Sequence, residues 1–78
     1  MEFEVRKCSK GGFNALVDAE VGEIKDELEN KEVEFLSDTP HLAIIKYDGE
    51  KISIKPGKLV FRVEEKDKAE ELAEELLG

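Results

Sequence analysis

Two closely spaced turn signals, Asp48-Gly49 and Pro56-Gly57, constrain the fold of this chain more than any other feature; both lie in the segment KYDGEKISIKPGKLVF. An Asp-Gly pair between alternating apolar runs favours a two-residue type I′ hairpin, because both central residues of that turn need positive φ. A Pro-Gly pair suits the centre of a type II turn. Together the two turns predict a three-stranded antiparallel meander.

The two turns predict the same buried face for this meander. A turn at Asp48-Gly49 places Tyr47 opposite Glu50, and closure at Pro56-Gly57 places Ile54 opposite Leu59. The shared face then consists of Ala43, Ile45, Tyr47, Ile52, Ile54, Leu59, Phe61 and Val63. A register slip of one residue would bury lysines instead.

Further strands are expected on the N-terminal side of the meander. Residues 2–6 and 32–35 alternate polar and apolar side chains, which is typical of half-buried strands. Residues 13–17 are interpreted as the returning strand of a hairpin, after a break at 9–12. A turn at 37–40 separates the strand at 32–35 from the meander.

Two segments predict helices. Asp18 is a favourable N-cap for a helix that ends near Asn30, with Val21, Ile24 and Leu28 on one face. Asp67 followed by Glu70 resembles a capping box, and the apolar stripe after it comprises Ala69, Leu72, Ala73 and Leu76. We therefore expect a single α+β domain over residues 1–78, with a mostly antiparallel sheet of four to five strands and two helices packed on one face.

Composition narrows the functional classes. A chain of 78 residues with a net charge of -8 repels nucleic-acid phosphates in aggregate, so nucleic acid is an unlikely partner. No apolar stretch approaches the roughly 20 residues of a membrane span, and the charged start is unlike a signal peptide, which predicts a cytoplasmic protein. The Lys- and Glu-rich usage without Gln resembles that of thermophile proteins.

No catalytic constellation is evident in the sequence. Cys8 and His41 are the only residues of their types, and nothing in their spacing supports a nucleophile and base pair. The segment 9–12, SKGG, lacks the phosphate-loop pattern and precedes a predicted strand. Every acidic residue that can be placed is on an outward position, in a turn or at a rim, so an enzyme is unsupported.

Clustered carboxylates favour a divalent cation, calcium above all, as the first functional hypothesis. Hard cations take several oxygen ligands, commonly from grouped carboxylates, although no EF-hand loop is present. The candidate ligands are Asp18, Glu20, Glu23 and Glu27 on the first helix, with Asp48 and Glu50 at the hairpin turn. For any one of these residues, a solvated acidic surface remains the alternative reading.

A basic patch favours a second hypothesis, a protein-interaction module or subunit. The predicted register places Lys46, Lys51 and Arg62 in one outward row, and Lys55 and Lys58 lie near it. Such a face could dock on an acidic partner, and an uncovered sheet edge could form a homodimer. The simpler reading is a solvated ladder in which glutamates of a bordering strand offset the lysines.

Three segments resemble those of small acidic α+β proteins from methanogenic and other thermophilic archaea. They are DAEVGEIKDELE, the KYDGEKISIKPGKLVF meander and the closing Glu-rich helix, and together they cover most of the chain. Some proteins of that type are regarded as calcium binders. The resemblance therefore implies cation binding, without assigning any ligand residue.

Overall fold

Six β-strands form one antiparallel sheet in the computed structural model of this protein, which describes residues 1–78. The strands are β1 (Phe3–Lys7), β2 (Phe13–Val17), β3 (Glu34–Asp38), β4 (Ala43–Tyr47), β5 (Glu50–Lys55) and β6 (Lys58–Phe61), and the helices are α1 (Val21–Leu28) and α2 (Lys66–Leu77). The strand order is β1-β2-β6-β5-β4-β3. The predicted α+β class is confirmed, but the predicted four to five strands are too few.

The sixth strand enters the same sheet because β6 returns beside β2. Phe13 lies opposite Phe61, and Ala15 lies opposite Leu59, in an antiparallel ladder. This pairing joins the β1–β2 hairpin to the β3–β6 meander. Alternation of side chains marks each strand in the sequence but does not reveal which distant strands become neighbours.

The meander has the predicted turns and register. Asp48 and Gly49 both take positive φ, 52° and 79°, as a type I′ turn requires, and Gly57 has φ of 78°. The cross-strand partners are Ala43 with Ile54, Ile45 with Ile52, Tyr47 with Glu50, Ile52 with Phe61 and Ile54 with Leu59. The turn chemistry thus determines which face of the sheet is apolar.

Both helices cover this apolar face. Every one of the 18 buried residues is hydrophobic, and they form one cluster. Of the predicted buried face, only Tyr47 is half-exposed; the helices add Val21, Ile24, Leu28, Ala69, Leu72, Ala73, Leu76 and Leu77. Since burying one large aliphatic side chain contributes about 1.5–3 kcal/mol, this cluster is the main source of stability. No helix covers the opposite face of the sheet.

Helix α1 begins later than predicted, with Glu20 rather than Asp18 at the N-cap. Residues 17–19 are held by the β5–β6 turn: the Val17 amide donates to the Gly57 carbonyl (2.9 Å), and the Gly57 amide donates to the Ala19 carbonyl (3.0 Å). These bonds hold residues 17–19 beside the β5–β6 turn, with a bend at Asp18 and Ala19 instead of a helical turn. The helix starts only where they end.

Helix α2 begins earlier than predicted. Its N-cap is Glu65, and the Ala69 amide donates to the Glu65 carbonyl at 3.2 Å. Asp67, the predicted cap, lies in the first turn, where its negative charge interacts favourably with the helix dipole. Neither helix is long and apolar enough to span a membrane.

Strand β3 is shifted toward the C-terminus relative to the prediction. The strand continues to Asp38, past an irregularity between Phe35 and Ser37. The turn that follows is closed by Thr39, whose amide donates to the Leu42 carbonyl (2.9 Å) and whose Oγ1 accepts from the Leu42 amide (3.0 Å). The predicted turn at 37–40 was therefore placed too early.

Candidate functional site

The face of the sheet that no helix covers is here named the open face. Its central part consists of outward side chains from four strands and the residue after β6, namely Asn14, Leu16, Ile44, Lys46, Lys51, Ser53, Lys55, Lys58, Val60 and Arg62. At its margins, β1 contributes the salt-bridged pair Glu4 and Arg6, and β3 contributes Glu34. Their rows follow from the register, since cross-strand partners project to the same side. Asn14, Val60, Ser53 and Ile44 form the central row.

The structure brings the five predicted patch residues, Lys46, Lys51, Lys55, Lys58 and Arg62, onto the open face. Lys46 lies directly opposite Lys51, and Lys55 lies directly opposite Lys58. Directly opposed like charges destabilise a sheet. None of the five residues forms a salt bridge, although the protein has twenty acidic residues.

One glutamate partly offsets this repulsion. Glu34 on β3 lies opposite Lys46 on the side away from Lys51, as the ladder reading of the sequence anticipated for a bordering strand. Its carboxylate is nevertheless not within salt-bridge distance of a lysine. The predicted ladder of alternating charges therefore forms only at the β3 edge of the open face. The other four basic residues have no acidic residue directly opposite them.

Three aliphatic side chains are interspersed among the basic residues, with Ser53 between two of them. Leu16, Ile44 and Val60 are half-buried on the open face although no element packs over them. The five aromatic residues, in contrast, occupy the alternate positions that face the helices. The open face thus offers aliphatic and cationic groups without an aromatic surface.

Acidic residues are concentrated on the helical side of the molecule. Seven lie in residues 18–32 and seven in residues 64–75, the segments that contain α1, α2 and their flanks. Although the overall charge is -8, the charges are separated: the helical layer is acidic, and the open face of the sheet is basic. Such a separation orients encounters with charged partners.

A polar hollow of about 310 Å³ lies at one end of the open face, beside the turn between β1 and β2. We name it the turn hollow; its lining residues are Cys8, Ser9, Lys10, Gly11, Asn14, Lys55, Lys58, Val60 and Arg62. The turn is closed by hydrogen bonds from the Cys8 amide to the Gly12 carbonyl (3.0 Å) and from the Gly11 amide to the Cys8 carbonyl (3.1 Å).

Gly12 allows β6 to approach this turn. A Cβ atom at Gly12 would lie 2.4 Å from the carbonyl oxygen of Phe61, and Gly12 has φ of 78°. Only glycine tolerates both the contact and the backbone conformation. The close approach brings Arg62, the residue after Phe61, to the wall of the turn hollow.

The four predicted metal ligands at α1 are exposed and lie at its start or on its surface. Asp18 precedes the helix, and Glu20 and Glu23 are engaged at its N-terminus, where Glu23 Oε1 accepts from the Glu20 amide at 3.3 Å. Glu27 lies one turn further along the helix. No group of three or more His, Cys, Asp or Glu side chains is positioned to hold a metal ion.

The two predicted ligands at the hairpin turn lie next to α2. Lys68 Nζ donates to Asp48 Oδ2 at 3.0 Å, and this hydrogen bond is the main reason that the pKa of Lys68 is raised. Glu50 is half-buried and lines a second hollow with Arg62 and Lys68. These carboxylates therefore already face cationic side chains of the protein.

Cys8 and His41 lie toward opposite edges of the sheet. Cys8 follows β1, an edge strand, whereas His41 lies between β3 and β4. Three strands separate β1 from β4, so at about 4.8 Å per strand spacing the two residues do not meet. The structure thus does not assemble the hypothetical nucleophile and base pair.

Lys10 and Asn14 of the turn hollow are not among the residues predicted from the sequence. They join Lys55, Lys58 and Arg62 only because β2 pairs with β6, a contact that no local pattern encodes.

Comparison of the chain with protein-family models, curated proteins and solved structures finds no match. The geometry of the open face is therefore the main evidence on function.

Proposed function

We propose that this protein is a binding module that docks an acidic segment of another protein on its open face. The observation that carries the proposal is the group of five basic residues that share one uncovered sheet face and form no salt bridge. In a chain of net charge -8, isolated cations on one face are a costly arrangement unless an anionic partner meets them.

The composition of the open face suits such a partner. Leu16, Ile44 and Val60 supply apolar surface that a partner can bury. The lysines around them attract acidic side chains of the partner and determine how it is aligned on the sheet. Complementary charge mainly increases the association rate and the specificity, while the buried apolar area supports the lifetime of the complex. The acidic helices repel the same partner from the other side of the molecule.

An acidic protein segment fits this face better than a nucleic acid does. Proteins that bind single-stranded nucleic acids usually stack the bases on aromatic side chains. Here Phe13 and Phe61 of the central strands are buried in the core, and the other three aromatic residues lie on the same side of the sheet, away from the open face. Aliphatic side chains between lysines match a peptide that alternates acidic and apolar residues.

Titration with a synthetic peptide of alternating Glu and Leu, followed by the amide shifts of the ¹⁵N-labelled protein, tests the proposal. We expect shifts in β4, β5 and β6, and we expect affinity to fall as salt is raised, because salt screens exposed charges. Reversal of two charges in Lys46→Glu/Lys51→Glu should weaken binding at least tenfold, about 1.4 kcal/mol.

Lys7→Glu provides the matched control. Lys7 is exposed on β1, but its position alternates with the open face and shares the side of Phe13. This variant should bind the peptide within about twofold of the wild type, a difference of roughly 0.4 kcal/mol. Equal loss of affinity in the control and the double variant, or shifts confined to the helices, would reject the open face as the docking surface.

Self-association through the edge strand β3 is a second candidate function. All five residues of β3 are exposed, and the large exposed hydrophobic residues Phe35, Leu36 and Leu42 lie in or just after it. An unpaired edge with apolar side chains is a common place for strand addition. Sedimentation of the 8.8 kDa chain as a dimer, and of Leu36→Lys as a monomer, would support this candidate; a monomeric wild type would reject it.

Divalent-cation binding by the α1 and hairpin carboxylates remains a proposal from the sequence, as do a cytoplasmic location and a thermophilic archaeal source. The cation proposal is supported by the number of carboxylates near Glu20, Glu23 and Glu27. It is less well supported by geometry than docking on the open face, since Asp48 already pairs with Lys68.

A further inference from the structure

We propose that the turn hollow binds a phosphate group, either as inorganic phosphate or as the head of a small phosphomonoester. This inference goes beyond the docking function, because it concerns a small ligand and depends on Lys10 and Asn14. Lys55, Lys58 and Arg62 serve both proposals, but docking also uses Lys46 and Lys51, which do not line the hollow. Each proposal can therefore fail without the other.

The charge of the hollow is the first argument. Four of its nine lining residues, Lys10, Lys55, Lys58 and Arg62, are cationic, and none is acidic. None of the four forms a salt bridge. A phosphate group of charge near -2 would relieve their mutual repulsion, and an arginine guanidinium can donate two parallel hydrogen bonds to phosphate oxygens.

Free backbone donors are the second argument. The amides of Ser9 and Lys10 lie outside the strands and donate to no acceptor in the protein. Gly11 follows with φ of 95°, and a side chain there would meet nothing within 4 Å. Successive free amides in a glycine-rich turn are a common way to cradle an anion. The turn contributes donors here without the helix that a phosphate loop would need.

Asn14 provides the third argument. Its Oδ1 atom is buried without a hydrogen-bond partner, and it is the only buried side-chain oxygen or nitrogen in the protein of which this is true. Asn14 lies opposite Val60, so Lys58 and Arg62 flank it on the neighbouring strand. Because an amide oxygen can only accept, the P–O–H group of a monoprotonated phosphate or a hydroxyl of a phosphomonoester would satisfy Oδ1, whereas a fully ionised oxygen would not.

The size of the hollow fits the ligand class. About 310 Å³ is near the lower limit of small-molecule sites, which suits a phosphate group with a small attached moiety. Large ligands such as dinucleotides would extend over the open face. We therefore expect inorganic phosphate or a compact monoester to bind.

Amide shifts of the ¹⁵N-labelled protein, titrated with inorganic phosphate and with glycerol phosphate against chloride at equal ionic strength, test the proposal. We expect saturable shifts in Ser9, Lys10 and Gly11 and around Arg62 with at least one of the two phosphate compounds, and no saturation with chloride. Tighter binding of glycerol phosphate would identify the monoester as the preferred form, and tighter binding of inorganic phosphate would identify the free ion.

Two exposed residues of the hollow, Lys10 and Arg62, give variants that are expected to fold. Lys10→Gln and Arg62→Gln should each weaken phosphate binding about fivefold or more, since each removes a charge-assisted donor. Lys46→Gln should leave it unchanged. Shifts that grow linearly with phosphate, appear equally with chloride or weaken as much in Lys46→Gln would overturn the site.

Discussion

The hydroxyl of Tyr47 donates a hydrogen bond to Glu75 Oε1 at 3.0 Å and thereby ties the end of β4 to the last turns of α2. This hydrogen bond is the main reason that the pKa of Tyr47 is raised; partial burial and the negative charges of Glu75 and Asp48 act in the same direction. The bond exists only with the phenol protonated. It therefore makes the contact between the hairpin and α2 sensitive to alkaline pH.

Replacement of Glu75 should move the titration of Tyr47. In Glu75→Gln we expect the pKa of Tyr47 to fall toward its ordinary value of 10.0, because the neutral amide no longer opposes the phenolate. Tyr47 is the only tyrosine and the chain has no tryptophan, so ultraviolet absorbance follows this one group. Identical titration curves for the two proteins would contradict the hydrogen bond.

Stability should depend on pH in the same region. The folded pKa of Tyr47 lies above the unfolded value, so its contribution is fully present below about pH 10 and disappears as the pH rises through the folded pKa. The raised pKa of Lys68 acts with the same sign. Urea unfolding across the alkaline range should show a smaller loss of stability in Tyr47→Phe than in the wild type.

Lys46 and Lys51 lie directly opposite each other, and we expect their repulsion to lower the stability of the protein. Lys51→Glu converts a like-charged pair into an opposite-charged pair, and we expect the free energy of unfolding to rise by about 0.2–1 kcal/mol. Chemical denaturation at low salt measures this change. Lys51→Gln should fall between the two, and a less stable Lys51→Glu would show that repulsion across this pair is negligible.

Replacement of two glycines by alanine should change the stability of the protein in opposite directions. Gly12→Ala should destabilise the protein by well over about 1 kcal/mol, since the new Cβ would clash with the Phe61 carbonyl at positive φ. Gly22→Ala in α1 should stabilise it by up to about 1 kcal/mol, because a Cβ there meets nothing and alanine favours helix. Thermal unfolding of both variants measures the two changes. A Gly12→Ala variant as stable as the wild type would contradict the close approach of β6.

Calcium should bind weakly if it binds at the predicted carboxylates. Glu20 and Glu23 are engaged at the start of α1, and Asp48 pairs with Lys68, so we expect a dissociation constant on the order of millimolar. Amide shifts in residues 18–27 during a calcium titration, compared with Glu23→Gln, measure it. Unchanged shifts at millimolar calcium would reject the site, and micromolar binding would show that the carboxylates rearrange around the ion.

The sequence predicts the part of the fold that short-range chemistry determines. Asp48-Gly49 and Pro56-Gly57 determine two registers, so the opposition of Lys46 to Lys51 could be read from the residues alone. The strand count and the turn hollow could not, because both arise from the pairing of β2 with β6. The start of α1 could not be predicted either, since Gly57, in the turn before the neighbouring strand β6, holds the residues that precede the helix.

The position of β2 beside β6 has a consequence for how the protein is made. The hairpin of β1 and β2 leaves the ribosome before the elements that pack with it, β6 and α2, have been synthesised. Phe13 and Ala15 thus have no core to enter for several seconds at ordinary rates of translation. This part of the core therefore closes only after β6 and α2 have emerged from the ribosome.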